Sequence, residues 1–263
     1  MAVTIHSSSI VERGAELADG VEVGPFCTVG PKVRLGEGVR LVSHISVAGN
    51  TSVGARTVIY PNSSLGHPPQ DLKFKGEDTR LIVGADNVIR EGVTMHLGTV
   101  TGRSQTVVGD KNFFMANSHV GHDCILGNNV VIGNNTALGG VTQIDDFVIF
   151  GGNSAVHQFG RIGKYAFIGG CAPVVGDVIP FGMVDNHGRL HGLNLVGLKR
   201  RGFKREAINA LRAMYRHVFL GEGNFEERVT EAAATYGDLP EAMMIIDFIN
   251  AGEKRGLCLP GPQ

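Results

Sequence analysis

The chain has 263 residues and a formal net charge of −1, and such a nearly neutral balance argues against a general nucleic-acid-binding protein. Its 38 glycines are about twice the average share and tryptophan is absent, which indicates a core of aliphatic side chains. No apolar run approaches the length of a membrane span, and the N-terminal residues MAVTIHSSSI lack a basic segment followed by an apolar one. We therefore expect neither export nor a transmembrane segment.

An aliphatic residue recurs at every sixth position along most of the chain. The repeat runs from Ile5 to Leu65, returns between Val83 and Met95, and continues unbroken from Val108 to Val174. Six-residue periodicity is typical of a parallel β-helix, in which each short strand buries one aliphatic side chain. With three strands per coil, residues eighteen apart should stack at a spacing of roughly 4.8 Å. The 26 aliphatic positions predict nearly nine coils.

Small residues punctuate each repeat. Glycine often follows the aliphatic residue, as at Gly24 and Gly133, which predicts corners that need backbone angles open to glycine. A small or β-branched residue, such as Cys27 or Cys124, commonly stands four places after the aliphatic one and limits the internal radius. The four cysteines show no CxxC spacing, so we interpret them as reduced packing residues of a cytosolic protein.

Three departures from the repeat divide the chain into two predicted domains. Polar insertions predict loops at 66–82 and 97–107, and insertions in a solenoid lie on one face, often the binding face. We predict an all-β solenoid, a parallel β-helix, over residues 1–185. Beyond it, residues 186–263 should form a linker and a small C-terminal α-helical domain, because apolar spacing becomes helical from Lys204 onward. These helices would cover the exposed sheet edges at the end of the solenoid.

The string NSHVGHDC carries the densest group of chemically competent side chains. His119 and His122 flank the inward-facing Val120, and Asp123 follows His122. An imidazole beside a carboxylate is the usual composition of a general base, because the acid fixes the ring tautomer and stabilises the imidazolium. The eighteen-residue rule places Gly140 one coil above His122. A glycine there would leave room for a substrate and a backbone N–H suited to a developing oxyanion.

At these residues the chain resembles a known family. The hexapeptide array, the loop PQDLKFKGEDTR, and the strings NSHVGHDC, DDFVIFGGNSAVHQFGRIG and GLNLVGLKRRGFKREAI are similar to those of the acyl-carrier-protein-dependent UDP-N-acetylglucosamine O-acyltransferases. These enzymes catalyse the first step of lipid A synthesis. The similarity spans essentially the whole chain.

The resemblance implies a left-handed parallel β-helix that forms a homotrimer, with active sites in clefts between subunits. An (R)-3-hydroxyacyl chain would pass from the phosphopantetheine of acyl carrier protein to the glucosamine 3-OH of the UDP-sugar. His122 matches the general base of the family, Asp123 its orienting acid and Gly140 its backbone oxyanion donor. No metal and no cofactor beyond the carrier's phosphopantetheine are implied.

The resemblance also implies the substrate-binding residues. They are Gln70, Asp71 and Lys73 in the first loop; His119, His157 and Gln158 along the cleft; and Asn194 and Arg201 for the uridine diphosphate. Gly170 matches the position that limits acyl length, and its lack of a side chain leaves the groove open for a longer chain. Independently of the resemblance, Arg200 and Arg201 belong to a basic cluster that suits an acidic carrier protein or a diphosphate.

Several alternatives remain at this stage. Val141 and Val196 stand where many family members carry a histidine and an acidic residue, which leaves open a UDP-sugar with a 3-amino group and an amide product. A zinc lyase of the γ-carbonic-anhydrase type would need three imidazoles converging on one metal. A structural or surface-binding solenoid would show regular outward ladders of side chains, and the outward residues here are irregular.

Overall fold

Residues 2–252 and 256–261 are described by a computed structural model of the chain. Most of this length is an array of short strands, many of only two residues, because each repeat makes one strand and one corner. In chain order the strands are β1 (Thr4–Ile5), β2 (Ile10–Val11), β3 (Glu16–Leu17), β4 (Glu22–Val23), β5 (Thr28–Val29), β6 (Arg34–Leu35), β7 (Arg40–Leu41), β8 (Ser46–Val47), β9 (Asn50–Val53), β10 (Val58–Ile59), β11 (Ser64–His67), β12 (Arg80–Val83), β13 (Val88–Ile89), β14 (Thr94–His96), β15 (Gln105–Val108), β16 (Phe113–Phe114), β17 (His119–Val120), β18 (Ile125–Leu126), β19 (Val131–Ile132), β20 (Ala137–Leu138), β21 (Gln143–Ile144), β22 (Ile149–Phe150), β23 (Ala155–Val156), β24 (Arg161–Ile162), β25 (Phe167–Ile168) and β26 (Pro173–Val174).

Three parallel sheets form the faces of the solenoid, and successive strands fall on successive faces. Sheet A runs β1-β4-β7-β10-β13-β16-β19-β22-β25, sheet B runs β2-β5-β8-β11-β14-β17-β20-β23-β26, and sheet C runs β3-β6-β9-β12-β15-β18-β21-β24. Val29 pairs with Val47, eighteen residues later. The predicted all-β solenoid is confirmed, and it is a left-handed parallel β-helix whose 26 strands match the 26 aliphatic positions.

The core is a set of aliphatic columns along the axis. On sheet B, Val120, Leu138, Val156 and Val174 are all buried and stack coil on coil. Burying such a side chain contributes about 1.5–3 kcal/mol each. Regular stacking therefore fixes the register of the outward residues between them, including those of the candidate site.

The reason given above for the glycines after the aliphatic residue is wrong. Gly24 and Gly133 do not adopt positive φ, whereas corner residues such as Asn135 and Asn153 do, with φ of 57° each. Gly133 is needed for space, because a Cβ there would lie 2.6 Å from the amide nitrogen of Gly152 on the next coil. Asparagine tolerates the left-handed region better than most residues.

Beyond β26 the chain adds elements that the six-residue pattern did not predict. β27 (Gly182–Val184) pairs parallel with β25, and β28 (Leu190–Leu193) pairs antiparallel with β27, which extends sheet A. The pairing of β27 with β28 crosses residue 185, where the boundary between the two domains is expected. That boundary stays a prediction. The helices are α1 (Leu195–Arg200), α2 (Arg205–Leu220), α3 (Phe225–Tyr236) and α4 (Pro240–Asn250).

The C-terminal helices form the predicted small domain at the end of the solenoid. α2 buries Ile208, Leu211 and Met214 on one face, as its spacing predicted. Arg161 of β24 attaches α4, since it donates through Nη2 to the Phe248 carbonyl at 3.1 Å and its guanidinium lies 4.3 Å from the centre of the Phe248 ring. Across residues 2–252 and 256–261, none of the helices has the length and apolar character needed to cross a bilayer.

Candidate active site

The candidate site lies along one edge of the solenoid, where each strand of sheet B turns into the next strand of sheet C. We call this the B–C edge, and it comprises 68–79, 97–104, 121–124, 139–142 and 157–160. Both inserted loops leave the solenoid here. They are shorter than predicted, because β12 begins at Arg80 and β15 at Gln105. The insertions, the His–Asp pair and the glycine above it therefore share one edge.

His122 and Asp123 form the centre of the site. The Nδ1 atom of His122 lies 2.8 Å from Oδ2 of Asp123. The His122 side chain is 18% exposed and that of Asp123 is fully buried. The hydrogen bond fixes the ring so that Nε2 is the atom left to exchange a proton with a substrate.

Asp123 is held as a carboxylate by several donors. Thr99 donates its hydroxyl to Oδ2 at 2.7 Å and its N–H to both oxygens, and the N–H of Arg103 donates to Oδ1 at 2.7 Å. Burial raises the pKa of the Asp123 carboxyl, but hydrogen bonds from Thr99, His122 and Arg103 outweigh it and hold the pKa below its usual value. An ionised carboxylate next to the ring can stabilise an imidazolium.

Gly140 lies against the His122 ring, as the stacking rule predicted. A Cβ on Gly140 would lie 2.6 Å from Cε1 of His122, so only glycine leaves the ring in place. The N–H of Val141 bonds to the carbonyl of His122 at 2.8 Å, which ties the two coils together. Within the described part of the chain, the Gly140 N–H has no hydrogen-bond acceptor. It is therefore available to a ligand beside His122.

Sequence reasoning missed His96 at the same edge. Its ring packs edge-on against His119 with centroids 4.9 Å apart, and its buried Nδ1 has no hydrogen-bond partner in the described residues. Burial, with the nearby charges of His119, His67 and His122, lowers the pKa of His96 to about 4. Burial and then His122 also lower the pKa of His119, whose Nδ1 lies 2.7 Å from the Thr94 hydroxyl.

The insertion hid His96 from the stacking rule. Thr94 pairs with His119 across an interval of 25 residues rather than eighteen, because the 97–104 loop intervenes. Counting strands across the loop would have placed β14, which ends at His96, next to β17, which begins at His119.

The other predicted residues lie at all three edges of the solenoid. By analogy with the B–C edge, the A–B edge is where strands of sheet A turn into strands of sheet B, and the C–A edge is where strands of sheet C turn into strands of sheet A. Gln70, Asp71, Lys73, His119, His157 and Gln158 lie on or next to the B–C edge; Gly170 lies between β25 and β26 at the A–B edge; Asn194, Arg200 and Arg201 lie on or next to α1. At the A–B edge, the Cβ position of Gly170 meets only the carbonyl oxygen of Gly152, at 3.3 Å. A side chain there would project away from the solenoid.

Helix α1 packs on an aromatic column at the C–A edge. Phe147, Tyr165 and Phe181 stack on successive coils with centroids 5.0 and 5.4 Å apart. Asn194 donates its N–H to the Phe181 carbonyl at 2.7 Å and caps α1, and the Arg201 guanidinium lies 4.5 Å from the centre of the Phe147 ring. The aromatic column thus holds two predicted nucleotide contacts at a fixed place.

Metal ligation finds no support at these residues. Among the described residues, no group of three or more histidine, cysteine, aspartate or glutamate side chains is placed to hold a metal ion. The zinc-lyase alternative therefore has no observation in its favour.

Comparison with known families first defines the class of protein. Residues 105–140 match the family described as bacterial transferase hexapeptide (six repeats), and residues 177–258 match domain 2 of UDP-N-acetylglucosamine O-acyltransferase. Repeats, helical domain and site together define a hexapeptide-repeat acyltransferase.

Curated relatives and solved structures narrow this class. The acyl-[acyl-carrier-protein]–UDP-N-acetylglucosamine O-acyltransferases of Sinorhizobium medicae and Rhizobium johnstonii are 50% and 48% identical over 257 residues, covering 97% of this chain and 95% and 94% of theirs. The UDP-N-acetylglucosamine acyltransferase of Francisella novicida superposes with a TM-score of 0.94 at 34% identity, covering 99% of this chain and 95% of that one. The chain belongs to the acyl-[acyl-carrier-protein]–UDP-N-acetylglucosamine O-acyltransferase family, as the resemblance predicted.

Proposed function

We propose that this protein transfers an (R)-3-hydroxyacyl chain from acyl carrier protein to the 3-OH of UDP-N-acetylglucosamine, the first step of lipid A synthesis. The relatives' names state the carrier and the nucleotide sugar. The observation that carries the chemistry is the His122–Asp123 pair lying against Gly140, because general base, orienting acid and oxyanion donor then meet at one point.

In the proposed reaction, Nε2 of His122 accepts the proton of the sugar hydroxyl as its oxygen attacks the thioester carbonyl. Asp123 stabilises the imidazolium through Nδ1, and the Gly140 N–H binds the oxyanion of the tetrahedral intermediate. The C–O bond forms and the C–S bond breaks as the proton passes from His122 to the departing phosphopantetheine thiolate. The products are the 3-O-acyl sugar nucleotide and the free thiol of the carrier, and no metal or further cofactor takes part.

A homotrimer would bring the three edges of the solenoid together. Edges of one prism point in different directions, so His122, Gly170 and Arg201 of one subunit face different ways. Exposed apolar residues near the base support an interface at this place. Phe159, which bonds through its N–H to the Gly140 carbonyl, is 56% exposed, and Val175 on the coil above is 64% exposed.

The substrate-binding assignments remain part of the proposal. Asp71 and Lys73, with Gln70, would hold the sugar nucleotide; His119, His157 and Gln158 would line the cleft; Asn194 and Arg201 would bind the uridine diphosphate; Arg200 would meet the diphosphate or the carrier. Gly170 would lie beside the acyl chain and set its length. All four cysteines are free thiols, which supports a cytoplasmic location together with the carrier protein.

The deciding experiment is an acyl-transfer assay that pairs two acceptors with hydroxyacyl carriers of several lengths. UDP-N-acetylglucosamine is compared with its 3-amino analogue, because Val141 beside Gly140 offers the acceptor an apolar surface. Ester formation on the 3-OH sugar supports the proposal. Amide formation with the amino sugar alone would assign the acceptor differently, and no transfer to either acceptor would refute the function.

A further inference from the structure

The 97–104 loop closes over the buried face of Asp123. Thr99 is itself buried, and its hydroxyl and N–H both point at the carboxylate. The N–H of Arg103 completes the set on Oδ1. The carboxylate therefore receives the loop on one side and the His122 ring on the other.

The same loop approaches the carboxylate too closely for a side chain at Gly102. A Cβ there would lie 2.8 Å from Oδ1 of Asp123 and closer still to Oδ2. The Arg103 guanidinium extends further and donates through Nη1 to the carbonyl of Asp123 at 2.6 Å and to that of Val141 at 3.1 Å. It thus joins the coil that carries His122 to the coil that carries Gly140.

We infer that the 97–104 loop is a positioning device for the base, in which Thr99 and Arg103 act on His122 through Asp123. The inference rests on the proposed function, in which His122 is the general base. A positioning role for the loop explains why residues are inserted at this corner of the solenoid, next to His122 and Asp123. Thr99 and Arg103 do not contact the reacting atoms in this scheme and are positioning residues.

The physical reason is that the Asp123 carboxylate could adopt several orientations, and the donors of the loop select one of them. A buried acceptor without a hydrogen-bond donor costs free energy. If the donors of the loop were removed, the Asp123 side chain would therefore turn toward whichever donor remained. With the loop donors in place, Oδ2 faces Nδ1 of His122 and the ring keeps one tautomer. A hydrogen bond to a charged group is typically worth about ten- to a hundredfold in an equilibrium or a rate.

The first test changes Thr99 alone. Thr99→Val keeps the shape of the side chain and removes the hydroxyl, so kcat should fall by about ten- to a hundredfold, the range for a hydrogen bond to a charged group. KM for the UDP-sugar should stay within roughly twofold, because uniform binding is untouched. Thr99→Ser restores the hydroxyl and should restore kcat.

Thr57→Val is the matched control. Thr57 is equally buried and makes hydrogen bonds through its hydroxyl with Gly84 and Asn87, on another coil away from Asp123. Removal of the Thr57 hydroxyl should leave kcat unchanged. Equal losses of kcat in the Thr57 and Thr99 variants would assign Thr99 a merely structural role.

The second test displaces the carboxylate and follows the pH profile. Gly102→Ala should push Asp123 away from His122 and deprive the imidazolium of its counter-charge. The acid limb of kcat/KM should then move to lower pH, because a less stabilised imidazolium loses its proton more readily. The titratable and charged groups around the ring are Asp123, His119, His96 and Arg103, and His157 lies two coils further along the same edge.

The outcomes separate this inference from the function beneath it. Activity retained by His122→Ala would refute the base assignment itself. Loss of activity in His122→Ala, with wild-type kcat in Thr99→Val and a wild-type pH profile in Gly102→Ala, would refute only the positioning role. A fall in kcat reversed by Thr99→Ser, together with a shifted acid limb in Gly102→Ala, supports it.

Discussion

Asp123 is fully buried and its neighbour His122 is partly open to solvent, yet their side chains meet at 2.8 Å. The contact arises at the corner of the coil, where Asp123 adopts φ of 60°. Aspartate tolerates this left-handed conformation better than most residues. The corner turns the carboxylate back under the ring, where the 97–104 loop can reach it. Two residues that are adjacent in sequence thus lie in different surroundings: Asp123 in the interior and His122 at the surface of the edge.

Gly140→Ala should remove most of the activity. The added Cβ would overlap the His122 ring, and a displacement of about 1 Å in a catalytic group can cost about a hundredfold in rate. Gly30→Ala, on a coil far from the site, is the matched control, since its Cβ would come no nearer than 3.5 Å to the Cα of Ala48. We expect kcat of the control to remain near wild type. Equal kcat in both variants would show that the space beside His122 is not used.

Gly170→Met should shorten the preferred acyl chain. The glycine is exposed and its Cβ position meets only the Gly152 carbonyl oxygen, so the methionine would extend into the proposed groove. Competition between hydroxyacyl carriers of different lengths measures the preference directly. Total activity with the shorter donor should persist, which separates a changed length limit from damage to the fold. An unaltered order of donors would remove Gly170 from the groove.

Mixed trimers test whether His122 and Arg201 meet across a subunit interface. His122→Ala and Arg201→Gln should each have low activity alone, whereas an equal mixture should recover about one quarter of wild-type activity, because that share of clefts draws each intact residue from a different subunit. His122→Ala mixed with Gly140→Ala serves as control. These two residues share one edge of one subunit, so no recovery is expected. Failure of the first mixture would place both residues in one subunit's site.

The buried His96 should cause the free energy of unfolding to fall when the pH is lowered from neutral to mildly acidic. Its pKa is about 4 in the folded protein, below the ordinary value of 6.5, so the unfolded chain binds the proton more readily between these values. Stability is therefore full above pH 6.5 and is lost as the pH falls toward 4. The free energy of unfolding should drop by about 2 kcal/mol between pH 7 and pH 5 on this account.

His96→Gln should remove that part of the pH dependence, measured by urea unfolding at a fixed protein concentration. His119, whose pKa is also lowered, would still contribute in the same direction. His6→Gln, at an exposed position, is the control and should leave the difference between pH 7 and pH 5 intact. A His96→Gln protein with the full wild-type difference would show that His96 does not titrate as described.

The sequence predicted the solenoid well because its signal is local and repeated. One aliphatic side chain per repeat decides the strand, so the spacing alone located the strands and placed Gly140 above His122. The hairpin of β27 and β28 and helix α1 carry no such period, since β28 is antiparallel and α1 has six residues. β27 depends on its pairing with β25, and α1 depends on contacts with the aromatic column of Phe147, Tyr165 and Phe181; no periodicity reveals either.

The candidate site was predicted less completely for a related reason. His122 and Asp123 are neighbours in sequence, so their types and order sufficed. Thr99 and Arg103 reach Asp123 from an inserted loop whose path is set by its own contacts, and His96 lies on the far side of that insertion. The fixed interval of eighteen residues fails wherever residues are added. Residues that support the base were therefore invisible to the rule that located it.

The most direct test of the base is acyl transfer by purified His122→Ala, with His6→Ala as a matched exposed histidine. We expect kcat to fall by at least about a hundredfold, the usual contribution of general base catalysis, while the melting temperature stays near that of the wild type. A folded His122→Ala protein that transfers the acyl chain at the wild-type rate would contradict the assignment of His122 as the base.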